Sequence, residues 1–226
     1  MRASVTRSTL RQQLADALRD EVLSGRLCPG REFTVKEIAE SYGVSGTPVR
    51  EALVDLAAQG LLDAVQHRGF RVHTYDRADY LGLVEASNLV TEGMFHVLAD
   101  RSTTDPPAPA AVADSLLAVR RRGEEAGRAA RTGELAILVG YDLRFWRELA
   151  VLYGNPYLSD FLHGLRVRSW ACAVPVLHRC HDLRDRLWDE HTDLIDALLQ
   201  QEMDTARTIV ARYHSRALEL SPHLSD

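Results

Sequence analysis

Residues 34–73, TVKEIAESYGVSGTPVREALVDLAAQGLLDAVQHRGFRVH, constrain this chain more than any other stretch. They set a helix, a tight turn, a second helix and a hairpin in direct succession. Thr34 and Glu37 have the spacing of a capping box, in which two side chains satisfy the orphan N–H groups at a helix start. The helix that follows carries Val35, Ile38 and Ala39 on one apolar stripe and stops at Gly43, which tolerates the left-handed conformation that ends helices. Ser45 or Thr47 is placed to cap the next helix, and Pro48 suits its first turn, where its missing N–H would have no partner. That helix is predicted to reach about Ala58. Val49, Leu53, Leu56 and Ala57 share its docking face, while Ser45, Gly46, Thr47 and Arg50 lie at its start and off that face.

After Gly60, Leu61-Leu62 and Ala64-Val65 lead to a tip, Gln66-His67-Arg68-Gly69, and Phe70-Arg71-Val72-His73 alternates with period two, as in a β-hairpin. In a helix-turn-helix, the start of the second helix enters the major groove, where polar side chains meet base edges and phosphates. Arg50 is the leading candidate for such a contact. A two-helix unit with a hairpin is also compatible with plain core, so the motif needs agreement from its context.

The residues themselves supply that context. SGRLCPG at 24–30, EIAESYGVSGTPVREAL at 37–53 and GLLDAVQHRGFRV at 60–72 closely resemble the GntR family of bacterial transcription regulators, with the landmarks in order. The resemblance implies that Lys36, Ser45, Thr47 and Arg50, with His67, Arg68 and Gly69 of the wing, contact a double-stranded DNA operator. Gly46 departs from the family pattern, which carries arginine there. One phosphate or guanine contact is thereby lost, implying a different operator or weaker binding.

At 226 residues the chain has room for two cores, and the composition divides it into a DNA-binding domain at 1–75 and a second domain at 76–226. Residues 1–75 hold 10 Lys and Arg against 9 Asp and Glu, out of 27 and 32 in the whole chain. The head is therefore nearly neutral and must rely on locally placed cations such as Arg50, Arg68 and Arg71, while the acidic remainder repels DNA. The sequence has neither an apolar run of membrane length nor a secretory signal pattern, so a cytoplasmic protein is expected. Cys28, Cys172 and Cys180 lack metal-ligand spacing and read as inert thiols.

Leu10, Leu14, Leu18 and Val22 mark a first helix that closes the head's core, and Gly25 ends it. Beyond the polar junction Tyr75-Asp76-Arg77 every segment reads as helix: about 77–99, 110–131, 133–153, 156–174, 182–201 and 204–220. Asp105 to Pro109 forms a loop, Gly154-Asn155-Pro156 a stop, and Pro175 a kink or end. Arg120-Arg121-Arg122 reads as a solvated face balanced by Glu124 and Glu125. The fold class is mainly α: a winged helix-turn-helix with a small β-wing, then an antiparallel α-helical bundle whose interior suits a ligand cavity.

Asp142-Leu143-Arg144-Phe145, Gly154-Asn155-Pro156 and Asp189-Glu190-His191 resemble the all-helical effector domain of the FadR subfamily, often named FCD. Many members hold a divalent metal there with an aspartate, a histidine four residues later, a histidine after glutamate and a final histidine 22 residues beyond. Asp142 and His191 match, but Trp146 and Tyr213 occupy the second and fourth positions. His214 falls one residue late, about 100° around a helix. A residual set of Asp142, His191 and His214 is too sparse a match, so no metal cofactor is expected; Asp142 and His191 are instead expected to hydrogen-bond to each other or to Tyr213. Where the subfamily carries an effector-binding arginine, this chain has Asn88. The resemblance then implies an effector pocket around Asn88, Asp142, Trp146, His191 and Tyr213 for a small molecule less anionic than usual, bound by apolar and aromatic contacts.

The resemblance also implies a homodimer whose operator affinity is modulated by that small molecule, with repression as the commoner behaviour. Two other readings stay open. The bundle can serve only as a dimerisation or protein-partner module without an effector. An enzyme is the other, but no HExxH motif, nucleophile elbow or phosphate loop supports one.

Overall fold

The computed structural model describes residues 10–104, 109–152, 154–184 and 186–224. The chain divides into two compact units between Thr74 and Tyr75. The loop expected at Asp105–Pro109 lies largely outside the described residues.

The first unit runs α1 (Leu10–Leu23), β1 (Glu32–Phe33), α2 (Val35–Tyr42), α3 (Gly46–Ala58), β2 (Leu62–Val65) and β3 (Gly69–Val72). Leu14, Leu18 and Val22 of α1 pack with Val49, Leu53 and Leu56 of α3, all buried. Each such side chain contributes about 1.5–3 kcal/mol by leaving water. The capping box forms: Thr34 Oγ1 accepts from Glu37 N at 3.1 Å, and Glu37 Oε2 accepts from Thr34 N at 2.6 Å. Gly43 ends α2 in the left-handed region.

The hairpin gains a strand that periodicity did not reveal. β3 lies between β1 and β2 in an antiparallel sheet, with Phe33 opposite Phe70 and Glu32 opposite Arg71. Two residues are too few to show alternation, so β1 exists only because β3 offers it a ladder. Gly69 is where β3 leaves the tip, with φ of 118°; a Cβ there would sit 2.4 Å from Phe33 O. Only glycine lets the wing close on β1.

Among its described residues the second unit contains α4 (Arg77–Thr104), α5 (Pro109–Thr132), α6 (Leu135–Leu152), α7 (Pro156–Leu177), α8 (His191–Leu199) and α9 (Met203–Leu218), with a short 3-10 turn at Ser221–His223. Its core gathers Phe95, Val119, Phe145, Trp146, Trp188, Ile195 and Ile209 from most of these elements. Asn155 caps α7 by accepting from Leu158 N at 3.2 Å.

Two expectations for this unit need correction. The helix expected over 182–201 begins only at His191. Residues Leu187 and Trp188 turn inward instead, and Trp188 stacks on Trp146 with ring centroids 5.9 Å apart. Burying an indole outweighs a further turn of helix. α7 does not end at Pro175 but runs on to Leu177. Pro175 sits in the last turn, where the missing N–H removes one bond from a helix already near its end. The Arg120–Arg122 run also does more than face solvent. Arg120 pairs with Glu124 and, at 3.0 Å, with Asp196 of α8, and Arg122 reaches Glu148 of α6 at 3.2 Å.

Candidate functional site

In the first unit the start of α3 and the wing tip present the residues singled out from sequence. Lys36, Ser45, Thr47, Arg50, His67 and Arg68 are exposed, and Gly69 is half-buried. Ser45 stands at the N-cap of α3 but its hydroxyl makes no capping bond. The expected side-chain cap is therefore absent, and the hydroxyl is left for an external partner. The same helix end presents unpaired backbone N–H groups, which favour a phosphate.

The cations divide into engaged and disengaged. Lys36 Nζ lies 3.8 Å from Glu40, a loose surface pair worth little. Arg71 is held at 3.5 Å by Asp63, which also binds His73 at 2.8 Å. Among the described residues no ion pair engages Arg50 or Arg68, so these two offer whole guanidinium groups to a ligand. His67 sits at the tip with φ of 60°. Gly46 is half-buried, and a Cβ there would meet only Val35 Cγ1 at 3.5 Å, an ordinary contact. No close backbone approach therefore imposes a glycine at this position.

In the second unit, Asp142, Trp146, His191 and Tyr213 converge, drawn from α6, α8 and α9. Asp142 is 1% exposed, and three donors surround its carboxylate. Trp146 Nε1 donates to Oδ1 at 3.1 Å, Trp170 Nε1 donates to Oδ2 at 2.8 Å, and His191 Nε2 lies 2.9 Å from Oδ1. The Asp142–His191 bond is one of the partnerships expected from sequence; Trp170 was not foreseen. Tyr213 packs at 4.9 Å against both Trp146 and Trp188. Burial, and then the charge of Asp142, push its phenol above the usual tyrosine range, while Arg166 works the other way.

These residues do not fit the divalent metal that the subfamily resemblance suggested. Both oxygens of Asp142 already accept from indole or imidazole groups. His214, the residual third ligand, is buried with Nδ1 3.0 Å from Val210 O. Burial, with the charge of Arg166, pushes its imidazole down to about 4. Among the described residues no three His, Cys, Asp or Glu side chains stand where they could share an ion.

Asn88 is half-buried on α4 and no contact singles it out. A cation nonetheless sits in this interior, on α7. Arg166 is 2% exposed, and its Cζ lies 3.8 Å from the Trp146 ring centroid and 5.1 Å from that of Tyr213. Its Nη2 donates to Thr91 Oγ1 at 3.4 Å. Asn88 leaves the family's arginine position without a guanidinium, and α7 brings one into the interior from a different place. One signal was available: Arg166 and Arg168 lie two apart in a helix, about 200° around its axis, so both cannot face the same side. Beside the cluster, Tyr80, Asp142, Trp170, Trp188 and Tyr213 line a cavity of about 70 Å³.

A winged helix-turn-helix joined in one chain to an all-helical domain with a buried polar centre defines a class of DNA-binding regulator. The family described as "Bacterial regulatory proteins, gntR family" matches residues 5–72, and the FCD domain matches residues 108–216. The chain belongs to the GntR family, in its FCD-containing division. It is 44% identical over 82 residues to a probable D-xylose utilization operon transcriptional repressor of Paenarthrobacter nicotinovorans, a match covering 36% of this chain and 35% of that one. That relative is thus matched over about a third of its length. An HTH-type transcriptional regulator of Streptomyces ambofaciens is 29% identical over 217 residues, 93% of this chain and 84% of its own. In fold, a GntR regulator from Rhodococcus sp. RHA1 superposes with a TM-score of 0.69 at 18% identity, over 93% of this chain and 96% of that one. The chain is a transcription regulator with a DNA-binding head and an FCD domain of the metabolite-binding kind. Among the described residues no helix is long and apolar enough to cross a membrane.

Proposed function

We propose that this regulator binds a double-stranded operator as a homodimer and represses transcription until a small molecule enters the bundle. Lys36, Ser45, Thr47 and Arg50 meet the major groove and its phosphates, and His67, Arg68 and Gly69 bring the wing against the backbone. The observation that carries the reading is the pair of exposed guanidinium groups, Arg50 and Arg68, which no carboxylate among the described residues neutralises. A nearly neutral head gains its DNA affinity from such cations, because each phosphate contact releases counterions.

The polar centre around Asp142, Trp146, His191 and Tyr213 is the effector pocket. A ligand there shifts the balance between arrangements of the two heads by no more than its differential affinity for them. The protein acts where its operator is, in the cytoplasm, and no metal cofactor or catalytic step is assigned to it.

Selection of bound fragments from the source genome by the purified protein, at about 0.15 M salt, tests the reading. Enrichment of a short imperfect palindrome is expected, with half-sites spaced by the dimer. Uniform recovery of all fragments would overturn sequence-specific regulation.

A further inference from the structure

The outward face of α3 carries an apolar side chain among its polar ones. Val49, Ala52, Leu53 and Leu56 turn into the core of the head and are fully buried, while Thr47, Arg50, Glu51 and Val54 turn away from it. Val54 is 53% exposed, the most open of the large apolar side chains among the head's described residues. An isopropyl group left on an open helix face contributes no burial to the folded head.

Its place around the helix ties it to the groove contacts. Successive residues of an α-helix are about 100° apart, so Val54 stands about 20° from Thr47, two turns on, and about 40° from Arg50, one turn on. A docking that lays α3 in the major groove with Thr47 and Arg50 on the bases turns Val54 toward the same edges, about 6 Å beyond Arg50 along the axis. Gly46, in the first turn, brings no side chain to hold the helix away from the bases.

The chemistry of the partner follows from what an isopropyl group can do. It neither donates nor accepts, so against a ring nitrogen, a carbonyl or an amino group it strips water and returns no hydrogen bond, which is a net cost. The C5-methyl of thymine is the apolar group that base pairs present in the major groove. Glu51, about 60° round on the same face, can accept from a cytosine amino group but is repelled by phosphate, which also turns this stretch of α3 to bases and away from the backbone.

We infer that Val54 is a specificity residue whose side chain covers the C5-methyl of a thymine in each operator half-site, beside the contact of Arg50. The inference rests on the operator reading above and adds to it a preference for thymine at one position, over cytosine and over uracil.

The test uses the full chain and the duplex recovered by the genomic selection, with each thymine of one half-site replaced in turn by deoxyuridine. That replacement deletes the C5-methyl and keeps the base pair. Gel-shift titrations compare the parent with Val54→Ala and Val54→Thr, and Tm is recorded for each. At one thymine the parent should lose about fourfold in affinity, the worth of one buried methyl group. Val54→Ala, whose side chain stops short of that methyl, should bind the two duplexes alike, and Val54→Thr, which keeps one of the two methyls, should show an intermediate loss. Tm should not move in either variant, because the position is exposed. Uracil replacement that costs the parent nothing at any thymine overturns the assignment, as does a loss of the same size in Val54→Ala. A loss from Val54→Ala that is equal on the operator and on random duplex places Val54 against protein and also overturns it. An operator without a coupled thymine removes this contact and leaves the DNA reading standing, whereas recovery of no operator overturns both.

Discussion

The two units carry their chemistry in opposite ways. In the head, the candidate DNA-contacting groups are exposed, lie between Lys36 and Gly69, and are presented by a motif that local rules assemble. In the bundle, the polar groups are buried, come from Ser87 to His214, and meet only when α4, α6, α7, α8 and α9 pack. Substitutions in the head should therefore change binding with little effect on folding. Substitutions in the bundle should do the reverse, because a buried polar group that loses its partner costs its full desolvation.

The largest effect that would break this contrast is expected at Asp142. Asp142→Leu leaves Trp146, Trp170 and His191 facing a side chain that accepts nothing, and should destabilise the bundle by about 3–5 kcal/mol. Denaturant unfolding of the variant checks this; a loss within experimental error would mean that the three donors find other acceptors.

Next comes acidity. The imidazole of His214 is held at about 4 in the folded chain, below its unfolded value near 6.5. The unfolded chain thus binds more protons between those values, and stability present above pH 6.5 is lost as pH falls toward 4. The loss attributable to this residue is on the order of 3 kcal/mol. Unfolding curves across that window, compared with those of His214→Gln, should show the variant's dependence flattened.

The head offers smaller and purely functional effects. Arg50→Ala should weaken operator binding by about 1–3 kcal/mol with Tm unchanged. Retained affinity in a gel-shift titration would move the groove contact to another residue. Gly46→Arg should tighten DNA binding by about 1 kcal/mol, since a Cβ there makes only an ordinary contact and the cation adds a phosphate or base contact. A loss of affinity would show that the operator of this protein excludes arginine at that place.

Legibility followed the range of the interactions. Thr34 with Glu37, Gly43 after α2 and the alternation of Phe70 with Val72 are separated by a few residues at most, so spacing alone announces them. The strand Glu32–Phe33 escaped because a two-residue element has no period. Trp188 escaped for another reason: a residue in a helix-compatible stretch left the helix to stack on Trp146, and burial outweighed propensity. Arg166 carried a faint signal in its offset from Arg168, which says that one arginine turns inward but not what it meets.

What the sequence by itself determined is the head's three helices and hairpin and its cluster of candidate contacts, because caps, turns and short periods are local. It also marked Asp142 with His191 as a pair and Trp146 with Tyr213 as departures from a metal site. Only the tertiary structure decided that two indoles and an imidazole surround one carboxylate, and that a guanidinium 2% exposed lies against Trp146 and Tyr213. Those contacts join residues far apart in the chain. Their energies come from desolvation, a property of the packed interior that no local spacing encodes.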